Sequence, residues 1–297
     1  MLRKNDIADW LMGLQDRICA SLEGLDGTDH FHEDAWQREG GGGGRTRIIQ
    51  GKHIEKGGVN FSAVEGELSP NLQKALGVAD SSFFATGVSI VLHPSNPMVP
   101  IIHMNVRYFE TGPDSWWFGG GIDVTPHYVF AEDARGFHQL LKAVCDQHHQ
   151  DYYQEFKKWA DDYFYIKHRK ETRGIGGIFF DKLDASRGSK EDLFAFLKDV
   201  GEAFVPAYTA LFSKHYQEAF TEAHREWQLL RRGRYVEFNL VWDRGTKFGL
   251  DTDGRIESIL MSLPRDVRWY YDHRPEESSP EAETLRHLVK GIDWLHN

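Results

Sequence analysis

Cysteine, long apolar runs and excess positive charge are all scarce in this chain of 297 residues. Its two cysteines, Cys19 and Cys145, form no CxxC pair and no disulfide framework, so we expect a reducing, cytoplasmic location. No stretch approaches the roughly 18 apolar residues of a membrane span, which predicts a protein with no integral membrane segment. The formal net charge of −10 argues against a nucleic-acid partner, because nucleic acids are bound by clustered cations.

Motifs of several common enzyme classes are missing as well. No GxGxxG follows a predicted strand, which weakens a dinucleotide-binding interpretation. The 15 histidines form no HExxH pair. The glycine run 40–44 predicts either a flexible loop or a mobile lid with Arg45 and Arg47 at its base. No lysine of a phosphate-binding loop follows it, which argues against a phosphate site.

What the chain does carry is a polar alternation within a predicted strand. His103, Asn105 and Arg107 are spaced two apart, and the residues between them are apolar. Alternate side chains of a strand share one face, so these three should point the same way. An imidazole, an amide and a guanidinium on one face favour the wall of a pocket that holds a carboxylate ligand.

A second segment follows closely, running from Trp116 through three glycines to Asp123. Consecutive glycines in a strand indicate that the backbone passes close to another group. Asp123 would lie at the end of that approach, either as a general base or hydrogen-bond acceptor or as an ordinary turn residue. Arg107 likewise either clamps a carboxylate or forms an internal salt bridge. Arg255, after the turn 251–254, would by itself be interpreted as a surface residue.

Hydrophobic spacing predicts the secondary structure. Helices are predicted over 5–23, 133–166 with a break near His148, 190–231 with a split near Pro206, and 280–295. Strands are predicted over 83–92, 101–110, 115–125, 174–180, 235–242 and 255–263. Because the strands come in adjacent runs, the pattern favours an α+β fold with an antiparallel sheet and packed helices. No repeat or linker divides the chain, so residues 1–297 are predicted to form a single domain.

Four histidines spread along the chain are candidates for a metal site: His93, His103, His138 and His168. No spacing motif supports that interpretation. The alternative is that they serve as hydrogen-bonding or acid–base residues.

Many short segments, in order, resemble one family, the oxygen-dependent coproporphyrinogen III oxidases. The motifs that carry the resemblance are Gly57-Gly58-Val59-Asn60-Phe61-Ser62, Gly87-Val88-Ser89, His93-Pro94, Asn105-Val106-Arg107, Trp117-Phe118-Gly119-Gly120-Gly121, Asp123-Val124-Thr125-Pro126, His168-Arg169, Arg173-Gly174-Ile175-Gly176-Gly177, Arg234-Tyr235-Val236-Glu237-Phe238-Asn239-Leu240 and Glu257-Ser258-Ile259-Leu260-Met261-Ser262. They cover nearly the whole chain.

The resemblance implies a reaction, a fold and an assembly. Two propionates of coproporphyrinogen III would become vinyls, giving protoporphyrinogen IX with loss of two carbon dioxides and reduction of dioxygen. No organic cofactor is expected. Each subunit of a homodimer would be a large antiparallel sheet flanked on both faces by α-helices.

The resemblance also implies roles for residues. The implied substrate-binding residues are Ser89, Asn105, Val106, Arg107, Asp253, Gly254 and Arg255. His103 would donate a proton and Asp123 would engage the pyrrole nitrogens. Manganese would bind His93, His103, His138 and His168, although the resemblance leaves open whether a metal is used. His168 and the stretch 235–270 would take part in dimerisation.

Two rival hypotheses come from other classes. The histidine cluster could belong to a metal-dependent hydrolase. The polar and aromatic segments could instead build a tetrapyrrole carrier that binds porphyrinogen without turning it over.

Overall fold

The structure is a computed structural model that describes residues 2–251 and 254–296, without the side chain of Ala75. The strands are β1 His32–Gln37, β2 Gly42–Ile49, β3 Ile54–Glu67, β4 Ser82–Pro94, β5 Ile101–Gly112, β6 Ser115–Thr125, β7 Tyr165–Ile166, β8 Glu171–Thr172 and β9 Gly176–Leu183. The helices are α1 Lys4–Asp26, α2 Pro70–Leu76, α3 Ala131–Asp146, α4 Tyr152–Tyr163, α5 Lys190–Glu202, α6 Phe204–His215, α7 Glu222–Val241, α8 Arg244–Asp251, α9 Ile256–Leu260 and α10 Pro280–His287.

Seven strands form one sheet in the order β1-β2-β3-β4-β5-β6-β9, and every neighbouring pair is antiparallel. The first six pair in chain order, whereas β9 joins the edge beside β6 only after α3 and α4. The short strands β7 and β8 form a separate ribbon. The predicted α+β class with an antiparallel sheet is confirmed.

One face of the sheet is apolar and closed. On β5, the buried side chains of Met104, Val106 and Tyr108 join a continuous core with side chains from α1, α3, α5 and α6. Along α1 the buried residues recur at helical spacing, as in Leu11, Leu14 and Ile18. This face supplies the apolar burial that stabilises the fold.

The opposite face, which we call the polar face, carries the alternate residues of the same strands. It is covered in part by the segment from α7 to α9. Met261, just after α9, lies so close to Gly58 of β3 that a Cβ there would stand 2.0 Å from its sulfur. Tyr235 of α7 packs on Val91 and Ile101. Helices therefore flank both faces of the sheet, as the resemblance implied.

The glycine run 40–44 is not a flexible loop as a whole. Gly41 and Gly42 have positive φ angles of 117° and 76° at the turn of the β1–β2 hairpin. The last three glycines pair within β2, and a Cβ on Gly44 would lie 2.5 Å from the Trp36 ring. Arg45 and Arg47, the predicted base of a lid, both form ion pairs with Asp16 of α1. Their nitrogens lie 3.0 and 2.7 Å from Oδ1 of Asp16. They lie on the face away from the polar face.

The strand predicted over 235–242 is wrong, because these residues continue α7. Thr221 caps this helix, and its buried residues Arg232, Tyr235, Phe238 and Asn239 follow a spacing of three to four. The alternation of apolar and polar residues at 235–242 mimics a strand because a short helical window can satisfy both periods.

Smaller differences concern element ends. The strand predicted over 255–263 is wrong, since α9 occupies most of it. The split in the helical stretch 190–231 falls at Ala203 rather than at Pro206, and a second break precedes Thr221. The C-terminal helix ends at His287. Within the described residues, no helix is long and apolar enough to cross a membrane.

Candidate active site

A hydrogen-bonded pair joins two central strands on the polar face. His103 of β5 lies directly opposite Asp123 of β6 in the strand register. The Nδ1 atom of His103 lies 2.7 Å from Oδ1 of Asp123. Because the carboxylate accepts, Nδ1 carries the proton and Nε2 is left as the second functional nitrogen.

Arg173, in the loop before β9, is the third charged residue of the site. Its Nη2 donates to both carboxylate oxygens of Asp123 at 2.7 Å, and its Nη1 donates to Oδ1 of Asn239 at 3.0 Å. The guanidinium lies over the rings of Phe164, 4.3 Å away, and of Tyr235, 4.8 Å away. Stacking on aromatic faces compensates part of the cost of burying a guanidinium.

Burial and charge oppose each other at Asp123. The side chain is 1 % exposed, and burial by itself would raise its pKa. The guanidinium of Arg173 and the hydrogen bond from His103 outweigh burial, so the pKa of Asp123 lies below its usual value. Asp123 is therefore held as a carboxylate, suited to accept hydrogen bonds and stabilise positive charge, but a weak base.

Arg107 lies further along β5 on the same face. Its Nη1 donates to Oδ1 of Asn105 at 2.8 Å, and its Nη2 donates to Oδ1 of Asp181 of β9 at 2.9 Å. Both charged side chains are about one-third exposed. The salt-bridge interpretation of Arg107 therefore holds in this structure, and it is compatible with ligand binding because both side chains remain partly exposed on the polar face.

Ser89 lies opposite Asn105 in the register of β4 and β5, half-buried on the polar face. The next row continues to Asn60, whose Oδ1 accepts from the Thr46 hydroxyl at 2.8 Å. Thr46 lies 2.7 Å from the hydroxyl of Ser258 in α9. The predicted substrate-binding residues Ser89, Asn105 and Arg107 are thus brought together with His103 and Asp123.

Other predicted substrate-binding residues lie elsewhere. The side chain of Val106 is buried in the apolar core, on the side of the sheet away from the polar face. Arg255 pairs with Asp34 of β1 instead of reaching the central strands. Gly254 donates its backbone N–H to Gly249 at 2.9 Å. Asp253 lies outside the described residues.

The four histidines predicted as metal ligands are not assembled as one ligand set. His93 is fully buried, and its Nε2 donates to the carbonyl of Ser262 at 2.8 Å. Burial and the nearby Arg232 hold the pKa of His93 well below its usual value. The ring of Tyr235 packs edge-on against His93. The guanidinium of Arg173 lies over the same tyrosine ring.

The remaining two histidines have separate partners. His138 of α3 is buried with both nitrogens bonded, to the hydroxyl of Tyr153 and to the carbonyl of Ile175, each at 3.0 Å. His168 lies 2.7 Å from Glu237 of α7. Within residues 2–251 and 254–296, no group of three or more potential ligands comes together. These histidines therefore do not fit a shared metal ion.

Sequence reasoning assigned no role to three residues of this site: Arg173, Asn239 and Asp181. Arg173 precedes the glycine turn that enters β9, and an arginine directly before a buried strand is the signal that could have singled it out. Asn239 was hidden because α7 was interpreted there as a strand. Asp181 carries no local signal, since its partner Arg107 is 74 residues away.

The chain belongs to the coproporphyrinogen III oxidase family, whose sequence profile matches residues 6–294. Among similar proteins, the oxygen-dependent coproporphyrinogen-III oxidase of Synechococcus sp. (strain CC9605) is 51 % identical over 96 % of this chain and 86 % of its own length. The chloroplastic coproporphyrinogen-III oxidase 1 of Arabidopsis thaliana is 50 % identical over 95 % of this chain and 76 % of its own. The mitochondrial oxygen-dependent coproporphyrinogen-III oxidase of Rattus norvegicus is 52 % identical over 96 % of this chain and 68 % of its own length.

Proposed function

We propose that this chain catalyses the oxidative decarboxylation of two propionates of coproporphyrinogen III, giving protoporphyrinogen IX with dioxygen as the electron acceptor. The family and the names of its relatives support this reaction and an oxidoreductase activity in porphyrin biosynthesis. The single observation that carries the proposal is the buried Asp123 of the polar face, bonded to His103 on one side and to Arg173 on the other.

The polar face suits a substrate that carries several carboxylates on an apolar macrocycle. Arg107 offers a guanidinium to one carboxylate. Ser89 and Asn105 offer a hydroxyl and an amide beside it. The neighbouring buried cluster around Phe164 and Phe179 supplies an aromatic support behind Arg173.

His103 is the proposed proton donor. Asp123 fixes its Nδ1–H tautomer and stabilises the imidazolium, which leaves Nε2 to exchange a proton with bound substrate or reduced oxygen. Asp123 itself is buried and ionised, and its oxygens are already bonded to Arg173 and His103, so its role in this proposal is to orient His103 rather than to contact the pyrroles.

The electron balance defines what the residues must supply. Each propionate loses carbon dioxide together with a β-hydrogen and two electrons. Four electrons from two propionates reduce one dioxygen to two waters and require two further protons. His103 is the described group on the polar face best placed to deliver them. Because the four histidines do not fit a shared metal, we derive no step through manganese.

We further propose that the protein works as a homodimer in a reducing compartment such as the cytoplasm. Large apolar side chains with substantial exposure concentrate in the segment 240–271 of the described chain: Leu240, Val241, Phe248, Leu250, Ile256, Trp269, Tyr270 and Tyr271. Burial of such a patch favours association. Both cysteines are free and buried, which supports a reducing compartment, although named relatives include chloroplastic and mitochondrial proteins.

The deciding experiment measures oxygen uptake by metal-stripped protein with freshly reduced coproporphyrinogen III, followed by separation of the products. Uptake with protoporphyrinogen IX formed supports the oxidase without a metal. Uptake only after manganese is restored would make the histidines central. Binding without uptake would leave a tetrapyrrole carrier, and ester hydrolysis with a bound metal would indicate the hydrolase.

The variant Asp123→Asn keeps the shape of the side chain but removes the charge that stabilises an imidazolium at His103. We expect turnover to fall at least about 100-fold, the lower end of typical general acid–base contributions. Near-normal turnover in this variant would remove Asp123 from the mechanism.

A further inference from the structure

Arg107 is held on the polar face by an irregularity in the neighbouring strands. Opposite Gly119, strand β9 carries an extra residue: Phe118 pairs with Leu183, whereas Gly120 pairs with Phe180. The strand accommodates this bulge with a positive φ of 50° at Lys182. Bulges re-aim side chains, and they are common beside active sites.

The missing side chain of Gly119 makes the contact possible. A Cβ at this position would lie 2.6 Å from Oδ1 of Asp181 and 3.0 Å from Nε and Nη2 of Arg107. The ion pair therefore crosses β6 from β5 to β9 directly over the glycine. This close approach explains why a glycine, and no larger residue, occupies position 119.

The pair leaves much of the guanidinium available. An arginine side chain has five N–H donors. Asn105 and Asp181 each take one of them. Within the described residues the other three have no hydrogen-bond partner, and the side chain is 36 % exposed, which allows a two-point contact with a carboxylate.

We propose that Asp181 is the positioning residue for Arg107, which it holds with two N–H groups turned toward a substrate carboxylate. This inference rests on the proposed function, because it takes Arg107 to bind a propionate. An ion pair this exposed contributes little to folding stability, so the bulge and the glycine are better explained by the orientation they give Arg107 on the polar face. Orientation of a flexible arginine reduces the entropy lost when substrate binds.

The test compares steady-state kinetics with coproporphyrinogen III for Asp181→Ala, Arg107→Ala and the double variant. We expect Asp181→Ala to raise KM about tenfold, the loss typical of one charged hydrogen bond, with kcat within about twofold of wild type. In the Arg107→Ala background the same change should have no further effect on KM, because Asp181 acts through Arg107.

Two further variants keep the result interpretable. Asp181→Asn retains an oxygen acceptor and should recover most of the wild-type KM. Asp184→Ala is the matched control, since it removes a carboxylate three residues away that bonds to Ser186 in its own turn. It should leave KM unchanged.

Three results would overturn the proposal: an unchanged KM in Asp181→Ala, a lower KM that reveals repulsion of substrate, or an equal KM effect with and without Arg107. Failure of the proposed function is distinguishable, because wild-type protein would then form no protoporphyrinogen IX. If wild type is active and Asp181→Ala behaves like Asp184→Ala, only the positioning role fails.

Discussion

The two faces of strand β5 place opposite demands on residues that are direct neighbours in sequence. Met104 and Val106 are fully buried on the apolar face, where they pack against helices. Between them, Asn105 stands half-buried on the polar face and bonds to Arg107. One set of alternate residues therefore builds the core and the other builds the candidate site, within the same backbone.

The polar face also has two levels. The buried level, with Asp123 and Arg173, holds full charges that are paired and nearly inaccessible. The upper level, with Arg107 and Asp181, holds a similar pair that is partly open to solvent. Because the cost of an unpaired charge grows with burial, the same kind of ion pair is structural and electrostatic at the lower level and available to a ligand at the upper.

The largest expected effect comes from breaking the buried pair. Arg173→Ala leaves Asp123 without its guanidinium, and we expect the free energy of unfolding to fall by about 3–5 kcal/mol. Denaturant unfolding at neutral pH measures it. The control is Arg187→Ala, which removes an exposed bidentate pair with Glu155 and should cost about 1 kcal/mol or less. Equal losses in the two variants would contradict the importance of burial.

The contrast between neighbours on β5 gives the next effect. Met104→Ala should destabilise the fold by about 2–5 kcal/mol, since it empties space in the core, and should leave KM unchanged. Asn105→Ala should cost about 1 kcal/mol or less in stability and should raise KM, because it frees Arg107. Thermal unfolding and steady-state kinetics on both variants measure this. A raised KM in Met104→Ala, with an unchanged KM in Asn105→Ala, would contradict this division of roles between the two faces of β5.

The buried His138 of α3 makes folding stability depend on pH, independently of the candidate site. Burial lowers the pKa of His138 from 6.5 to about 4. Unfolded chains therefore take up a proton below pH 6.5 that the folded protein refuses until about pH 4. Folding stability should fall as pH drops through this window, by about 3 kcal/mol in all.

The variant His138→Gln should flatten that part of the stability–pH curve, while the exposed His149→Gln should not. Unfolding measured at several pH values between 7 and 4 makes the comparison. A slope unchanged in His138→Gln would mean that other groups control acid sensitivity there. Asp123, whose pKa lies below 3.8, contributes stability that is lost only at still lower pH.

Much of the fold was predictable because period-two alternation and helical spacing are local signals. The strands 83–92, 101–110 and 115–125 were predicted within a few residues of β4, β5 and β6. The first helix, 5–23, was predicted equally well. The failure at 235–242 has a physical cause: the eight residues alternate, and their helical fate is decided by the longer run that begins at Thr221.

The site was predictable only where its parts lie on one strand or follow from the family resemblance. The shared face of His103, Asn105 and Arg107 follows from alternation along β5. That Asp123 stands opposite His103 depends on the register of β5 and β6, which the turn between them fixes. Arg173, Asn239 and Asp181 come from distant segments, and only tertiary packing brings them to the polar face.

The strand order has a consequence for how the charges first meet during synthesis. The chain from β1 to β6 can pair step by step, but Asp123 precedes Arg173 by 50 residues. At ribosomal rates of roughly 5–20 residues per second, the carboxylate exists for about 3 to 10 s before its guanidinium partner is made. A nascent sheet ending at β6 therefore carries the acid of its candidate active site without its counter-ion, and the docking of the segment that holds Arg173 and β9 neutralises it.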